Sequence, residues 1–158
     1  NCLAIKKAIK YDIPYIIINH RDYDSRVEHD KIVMNKLEDL SVELVVMAGW
    51  MRIVGEELIN KFKNRLINIH PSLLPSFKGI DAIQQAIDHS VTITGCTVHY
   101  VQKEVDSGSI IIQAAVPLKE SDSKDTLKKR IQNMEHIIFP IAIAKAAKKI
   151  RTSFKGKK

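Results

Sequence analysis

The sequence predicts an α/β fold: a mostly parallel, twisted sheet with helices on both faces and an antiparallel strand late in the chain. Two observations support this prediction. Short apolar runs rich in β-branched residues alternate with stretches whose apolar residues recur at helical spacing. The last two apolar runs are separated only by a short turn, which favours an antiparallel pair at an edge of the sheet.

The first half of the chain predicts three strands and three helical stretches. Residues 2–10 resemble the end of a helix, and 13–19 form a β-branched run typical of a buried strand. Ser25 and Glu28 form a capping box, and the apolar spacing behind it predicts an amphipathic helix over 26–40. Further strands are predicted at 44–48 and 66–69, with a short helix near 55–63 between them.

The second half begins with a loop punctuated by prolines. This loop covers 71–79, and a helix is predicted over about 81–89. Residues 91–101 and 109–116 predict a strand pair joined by 102–108. A long helix then begins near Ser123, with Asp122 as its expected cap, and Pro140 is expected to kink or break it.

The length of 158 residues and the apolar content of 45% suit one domain with one core, predicted over 1–144 and followed by a basic helix end and tail over 145–158. The chain opens inside a helix, without a preceding strand or Gly-rich phosphate turn. We therefore expect that an N-terminal βα unit is missing from this sequence and that the native chain is longer.

The net charge of +7 resides in the C-terminal segment. Its seven basic residues, with no acidic ones, are Lys145, Lys148, Lys149, Arg151, Lys155, Lys157 and Lys158, which leaves 25 − 7 = 18 basic against 18 acidic residues elsewhere. With only 6% aromatic residues, this pattern disfavours a nucleic-acid partner. No apolar run approaches the roughly 18 residues of a membrane helix, and residues 1–7 lack the pattern of a signal peptide. We expect a cytoplasmic protein that binds no membrane.

Asn68 and His70 are the leading candidates for chemistry. Residues i and i+2 of a strand point to the same face, so both side chains project together where the strand ends, and Pro71 holds His70 extended. An amide donor beside an imidazole suits attack on a carbonyl, because Asn68 can stabilise the oxygen while His70 exchanges a proton. The same pattern also fits a capped strand end with a satisfied histidine.

Other candidates are more ambiguous. Asp106 could approach His70 and favour the imidazolium, or could belong to a simple turn. Residues 51–54 could line a flat hydrophobic pocket, or could be core with a solvated Arg52. Four further histidines have no Cys or carboxylate partners at metal-ligand spacing, so no metal site is predicted; they are His20, His29, His89 and His99.

Three stretches resemble the folate-dependent formyltransferases, in particular those that act on glycinamide ribonucleotide in purine synthesis. They are 68–79 (NIHPSLLPSFKG), 94–99 (TGCTVH) and 106–111 (DSGSII), within a match that covers about 1–145 in order. The resemblance implies a Rossmann-like formyltransferase fold. It also implies formyl transfer from the co-substrate 10-formyltetrahydrofolate to the amino group of glycinamide ribonucleotide, with small-molecule partners and a monomer or homodimer.

The same resemblance implies roles for individual residues. Asn68 matches the oxyanion donor, His70 the acid and Asp106 the aspartate that tunes this histidine. The residues implied in folate binding are Arg26, Met51, Arg52, Ile53, Val54, Asn68, Gln102, Lys103, Glu104, Val105 and Asp106. Those implied in ribonucleotide binding are Gln132, Asn133, Met134 and Glu135, with Glu135 as the partner of the amine. The Leu74–Pro75 peptide is expected to be cis.

Alternatives within and beyond this chemistry stay open. A sister enzyme could formylate methionyl-tRNA, or could be a formyltetrahydrofolate deformylase that passes the formyl group to water. A folate-binding module without turnover is the alternative from another class. The presence of Asn68, His70 and Asp106 together favours an enzyme, because a binding module does not need the set.

Overall fold

The structure is a computed structural model that describes residues 2–155. Its sheet has four strands in the order β1–β2–β3–β4, which are β1 Val45–Met47, β2 Leu66–His70, β3 Ile93–Tyr100 and β4 Ile110–Pro117. The helices are α1 Leu3–Lys10, α2 Arg26–Asp39, α3 Glu56–Lys61, α4 Ala82–Asp88 and α5 Lys124–Lys155. Among these helices, none combines the length and the apolar character that a membrane span requires.

The α/β class and the late antiparallel edge are confirmed, but the sheet is mixed. β1 and β2 are parallel, whereas β3 runs antiparallel to both β2 and β4. Fewer strand pairs are parallel than predicted, because β3, which follows α4, runs beside β2 in the opposite direction. The register places Asn68 opposite His99 and His70 opposite Thr97.

The strand predicted over 13–19 does not form. This segment leads from α1 to a 3₁₀ turn at His20–Asp22, and within residues 2–155 it pairs with no strand. Its apolar side chains are exposed, as at Ile13 and Ile17. A β-branched run becomes a strand only when a neighbour supplies backbone hydrogen-bond partners, which composition alone does not reveal.

The helix starts confirm one predicted cap and correct another. At α2, Ser25 Oγ accepts from the Glu28 amide at 3.1 Å, as the capping box predicts. At α5 the residue that caps is Ser123, whose Oγ accepts from the Thr126 amide at 3.3 Å. The predicted cap, Asp122, instead accepts from the Lys119 amide at 2.8 Å. Its carboxylate therefore stabilises the preceding turn.

Pro140 does not break α5, which continues from Lys124 to Lys155. A proline removes one backbone hydrogen bond from a helix interior. Here Ile138 and Ala142, on either side of Pro140, are buried in the main core cluster. This packing holds the helix together across the lost bond.

The core lies on both faces of the sheet. One cluster joins Ile67, Cys96 and Val98 to the apolar side of α5, and the other contains Met47, Phe62 and Leu66 with residues of α3. Because side chains alternate along strands, Asn68 and His70 on β2 and Thr97 and His99 on β3 point away from α5. The polar residues of the two strands therefore share one face.

Candidate active site

The predicted pair Asn68 and His70 lies at the end of β2, on the sheet face away from α5. His70 is buried, and Asn68 is half-buried. Within residues 2–155, no hydrogen bond occupies the side-chain amide of Asn68. The amide is therefore available to a ligand at the edge of the sheet, as an oxyanion donor must be.

Both ring nitrogens of His70 face acceptors. Nε2 lies 2.8 Å from the carbonyl oxygen of Phe77, and Nδ1 lies 3.3 Å from Asp106 Oδ2. A carbonyl oxygen can only accept, so Nε2 carries a hydrogen. With a carboxylate at Nδ1 as well, the arrangement suits the doubly protonated imidazolium, the form that can act as an acid.

Asp106 is the centre of this polar cluster. Its Oδ2 accepts from the Gly79 amide at 2.9 Å, and its Oδ1 lies 3.5 Å from His99 Nε2. Burial is the largest single effect on this carboxyl and raises its pKa. The contact with His99, the Gly79 amide and the positive charge of the two histidines outweigh burial, so the net pKa of Asp106 is lowered. At neutral pH Asp106 is therefore an anion beside His70.

Two of the residues that contact His70 have left-handed backbones. Phe77 has φ 54° and Asp106 has φ 49°. This region is uncommon for residues other than glycine, and a bulky side chain such as Phe77 is a clear outlier there. Strained backbone of this kind is concentrated at functional sites, where surrounding contacts hold it in place.

Thr97 anchors the loop that contacts His70. Its Oγ1 donates to the carbonyl of Ser72 at 2.7 Å and accepts from the Leu74 amide at 3.0 Å. Gln113 on β4 adds a bond from Nε2 to the carbonyl of Leu74 at 2.9 Å. The Leu74–Pro75 peptide is cis, as expected. The sheet thus fixes the course of the loop toward Phe77 and Gly79.

The residues predicted to hold the folate lie in two segments and one helix start. The 102–105 turn is exposed, and an ion pair of 3.0 Å between Lys103 and Glu56 ties it to the end of the 51–54 segment. Met51 and Ile53 expose 85% and 59% of their surface. Exposed apolar side chains of the 51–54 segment therefore lie near the 102–105 turn, to which Val105 adds one more.

Arg26 lies elsewhere, at the first turn of α2. It lines a groove of about 500 Å³ between α2 and α3, together with Met34 and Gly55. The groove adjoins the 51–54 segment because Asp30 on α2 accepts from the Gly55 amide at 2.7 Å. No group of three or more His, Cys, Asp or Glu side chains within the described residues is arranged to hold a metal ion.

The residues predicted to bind the ribonucleotide lie on α5. Gln132 and Asn133 are exposed, whereas Met134 and Glu135 are half-buried. Burial raises the pKa of Glu135, and burial together with the nearby Glu135 raises the pKa of Cys96 to about 12. Cys96 points toward α5, so this contact lies on the sheet face opposite His70. No described contact joins Glu135 to Asn68, His70 or Asp106.

Three contacts of the site escaped the sequence analysis: the Phe77 carbonyl, the Gly79 amide and the His99 ring. The first two are backbone groups of a loop, and no pattern of side chains in the sequence predicts them. His99 could have been found, because a strand pair that sets it opposite Asn68 puts both on one face. That register is a long-range property, however, which spacing along one strand does not reveal.

Comparison with known proteins identifies the family of the chain. Residues 1–143 match the family described as formyl transferase. The human trifunctional purine biosynthetic protein adenosine-3 is 47% identical over 140 residues, and the chicken protein of the same name is 46% identical over 140 residues. Each alignment covers 89% of this chain and 14% of the longer relative. The chain thus spans about one-seventh of the length of these two relatives.

Solved structures show the same fold. Phosphoribosylglycinamide formyltransferase from Bacillus halodurans superposes with a TM-score of 0.85 at 39% identity, covering 89% of this chain and 73% of that one. Glycinamide ribonucleotide transformylase 1 from Symbiobacterium toebii gives a TM-score of 0.86 at 42% identity, covering 88% of this chain and 66% of that one. With the family match over nearly the whole chain, these similarities show that the protein belongs to the formyl transferase family.

Proposed function

We propose that the protein transfers the formyl group of 10-formyltetrahydrofolate to the amino group of glycinamide ribonucleotide, a step of purine synthesis. The observation that supports it most is the convergence of Asn68, His70 and an ionised Asp106 on one sheet face. The names of the similar proteins, which include phosphoribosylglycinamide formyltransferase and a purine biosynthetic protein, agree with this reaction.

In the proposed reaction the neutral amine attacks the formyl carbon directly. A carbon–nitrogen bond forms, and the electron pair of the carbonyl moves to its oxygen. The Asn68 amide donates to this oxygen as its charge grows, and His70 Nε2 joins it when its hydrogen turns from the Phe77 carbonyl to the formyl oxygen. Such donors matter most in a buried site, where they are already oriented and little water competes with them.

Collapse of the tetrahedral intermediate breaks the bond between the formyl carbon and the folate nitrogen. The electron pair stays on that nitrogen, which takes up a proton, while the attacking amine loses one. His70 supplies or relays the proton, directly or through water. Asp106 favours the protonated ring of His70 because an adjacent negative charge stabilises the imidazolium. The protein's side chains form no covalent intermediate in this scheme.

The two ligands occupy different parts of the sheet edge in this proposal. The folate ring packs on the 51–54 segment and the 102–106 turn, where Met51 and Ile53 are exposed. Arg26, at the groove between α2 and α3, provides a cation for a folate carboxylate. The 132–135 segment of α5 contacts the ribonucleotide through the exposed Gln132 and Asn133. Because Glu135 lies on the sheet face opposite His70, it is not the partner of the attacking amine in this scheme.

The test is an absorbance assay of folate product formation by the full-length gene product. Glycinamide ribonucleotide, methionyl-tRNA and water alone are offered as acceptors with 10-formyltetrahydrofolate. We expect turnover only with the ribonucleotide. Turnover with the tRNA or without an acceptor identifies one of the sister enzymes instead. Folate binding without turnover under all three conditions contradicts the proposal and favours a binding module.

A further inference from the structure

A second buried histidine stands behind Asp106. The His99 ring is only 2% exposed, and its Nδ1 lies 2.9 Å from the carbonyl oxygen of Tyr100. Because a carbonyl can only accept, this nitrogen carries a hydrogen. The other nitrogen, Nε2, forms no hydrogen bond within the described residues and faces Asp106 Oδ1 at 3.5 Å.

The hydrogen on Nδ1 leaves Nε2 with two alternatives. As a bare nitrogen, Nε2 would point a lone pair at a carboxylate in a site with little exposed surface, which is unfavourable for both groups. With a hydrogen on each nitrogen the ring is an imidazolium cation whose Nε2 faces Oδ1 at ion-pair distance, so the ring and the carboxylate each gain a partner. The protonated form therefore gives Nε2, the ring nitrogen without a hydrogen bond, a partner in Asp106.

We propose that His99 is a positioning residue of the formyl-transfer site: through a hydrogen on Nε2 it holds Asp106 ionised and directed at His70. This inference rests on the proposed function, since it assigns a part in that reaction. His99 approaches Oδ1, whereas His70 and the Gly79 amide approach Oδ2. The carboxylate is thereby held from both sides, and its free rotation is removed.

The titratable groups around Asp106 are limited among residues 2–155. His70 faces it from β2 and His99 from β3, and the 71–79 loop contributes the uncharged Gly79 amide. In the flanking loops Lys78 and Glu104 pair with each other at 3.7 Å. On β3, Cys96 and Tyr100 belong to the core cluster on the opposite face. The titratable groups that act on the ionisation of Asp106 are therefore the two histidines, beside the uncharged Gly79 amide.

Removal of the His99 ring has a predictable direction. In His99→Leu the carboxylate loses a partner that stabilises its charge, so Asp106 takes up a proton at a higher pH than in the wild type. The acidic limb of the rate profile then moves to higher pH. We expect kcat to fall about 10- to 100-fold, the effect of losing a group that orients a catalytic one, with a smaller change in KM.

Two further variants separate positioning from a structural role. His99→Gln places an amide near the position of Nε2, so a donor to Oδ1 remains and most of kcat returns. Thr94→Val is the matched control, because Thr94 is a buried polar residue of the same strand, on the core side. We expect wild-type kcat and an unmoved acidic limb in this control.

The titration of Asp106 is followed by carbon NMR of its carboxyl in the wild type and the three variants, without substrate. The imidazole nitrogen signals of the wild type report the hydrogen on Nε2 without any variant. A bare Nε2 at neutral pH, or an Asp106 titration in His99→Leu that matches Thr94→Val, overturns the proposal. If the NMR shifts occur but the wild type transfers no formyl group, the proposed function fails, and the contact between His99 and Asp106 stands.

Discussion

Replacement of Thr97 by valine tests how the sheet holds the loop over His70. Valine has nearly the same shape, so the core on that side keeps its volume while the hydroxyl is lost. The hydroxyl donates to the Ser72 carbonyl and accepts from the Leu74 amide, and both partner residues are buried. Gln113 Nε2 loses the Thr97 hydroxyl as an acceptor but still donates to the Leu74 carbonyl, so this amide keeps a hydrogen bond.

The cost follows from the two groups left without a partner. Each buried donor or acceptor that loses its partner costs about 1–3 kcal/mol, so Thr97→Val is expected to lower the free energy of unfolding by about 2–6 kcal/mol. The loop between Ser72 and Phe77 loosens as well, and with it the Phe77 carbonyl against His70 Nε2. We therefore expect kcat to fall in the same variant.

The assay is urea unfolding of the wild type, Thr97→Val and the control Thr94→Val, followed by circular dichroism. The hydroxyl of Thr94 is buried on the same strand without a partner among the described residues, so its loss is expected to leave stability within about 0.5 kcal/mol or to raise it. An equal decrease in the free energy of unfolding in the two variants, or no decrease in Thr97→Val, would refute the reasoning.

Three further predictions follow from single contacts. Asn68→Ala is expected to lower kcat by a factor of roughly 10²–10³ and to retain the folate affinity of the wild type. The control Asn35→Ala, on the exposed side of α2, is expected to keep the wild-type kcat. Steady-state kinetics together with a folate binding titration checks both variants. A Cβ on Gly108 would lie 1.6 Å from the Tyr100 carbonyl oxygen, so Gly108→Ala is expected to lose at least about 1–3 kcal/mol in urea unfolding and to lose turnover as the Asp106 turn shifts. Burial raises the pKa of Glu135, so the folded state favours its neutral form and the protein loses stability as pH rises through this titration. Glu135→Gln is therefore expected to be more stable than the wild type at a pH of about 8 and equally stable near pH 3. A wild type that is more stable than the variant at high pH would contradict the burial of Glu135.

The centre of the site could be predicted from the sequence because its pattern is local. Asn68 and His70 are two residues apart on an apolar strand, and the proline after them marks the end of that strand. Alternation alone then places both side chains on one face. In the structure both side chains lie at the end of β2, and His70 Nδ1 lies 3.3 Å from Asp106 Oδ2, while the roles of these residues stay predictions.

The errors concern properties that depend on distant neighbours. The run over 13–19 has the composition of a strand but no described partner, and Pro140 sits in a helix that packing holds together. His99 enters the site only through the antiparallel register with β2. Strand pairing and packing between elements are set by the whole fold, so residue spacing could not reveal them.

The most direct test of formyl transfer at this site is the single-turnover rate of the wild type and His70→Ala with 10-formyltetrahydrofolate and glycinamide ribonucleotide. Folate binding is measured in the same samples. We predict that His70→Ala binds the folate as the wild type does and transfers the formyl group at least about 10²-fold more slowly, since the acid is gone. Transfer by His70→Ala at the wild-type rate would contradict the assignment of catalysis to the His70 face of β2.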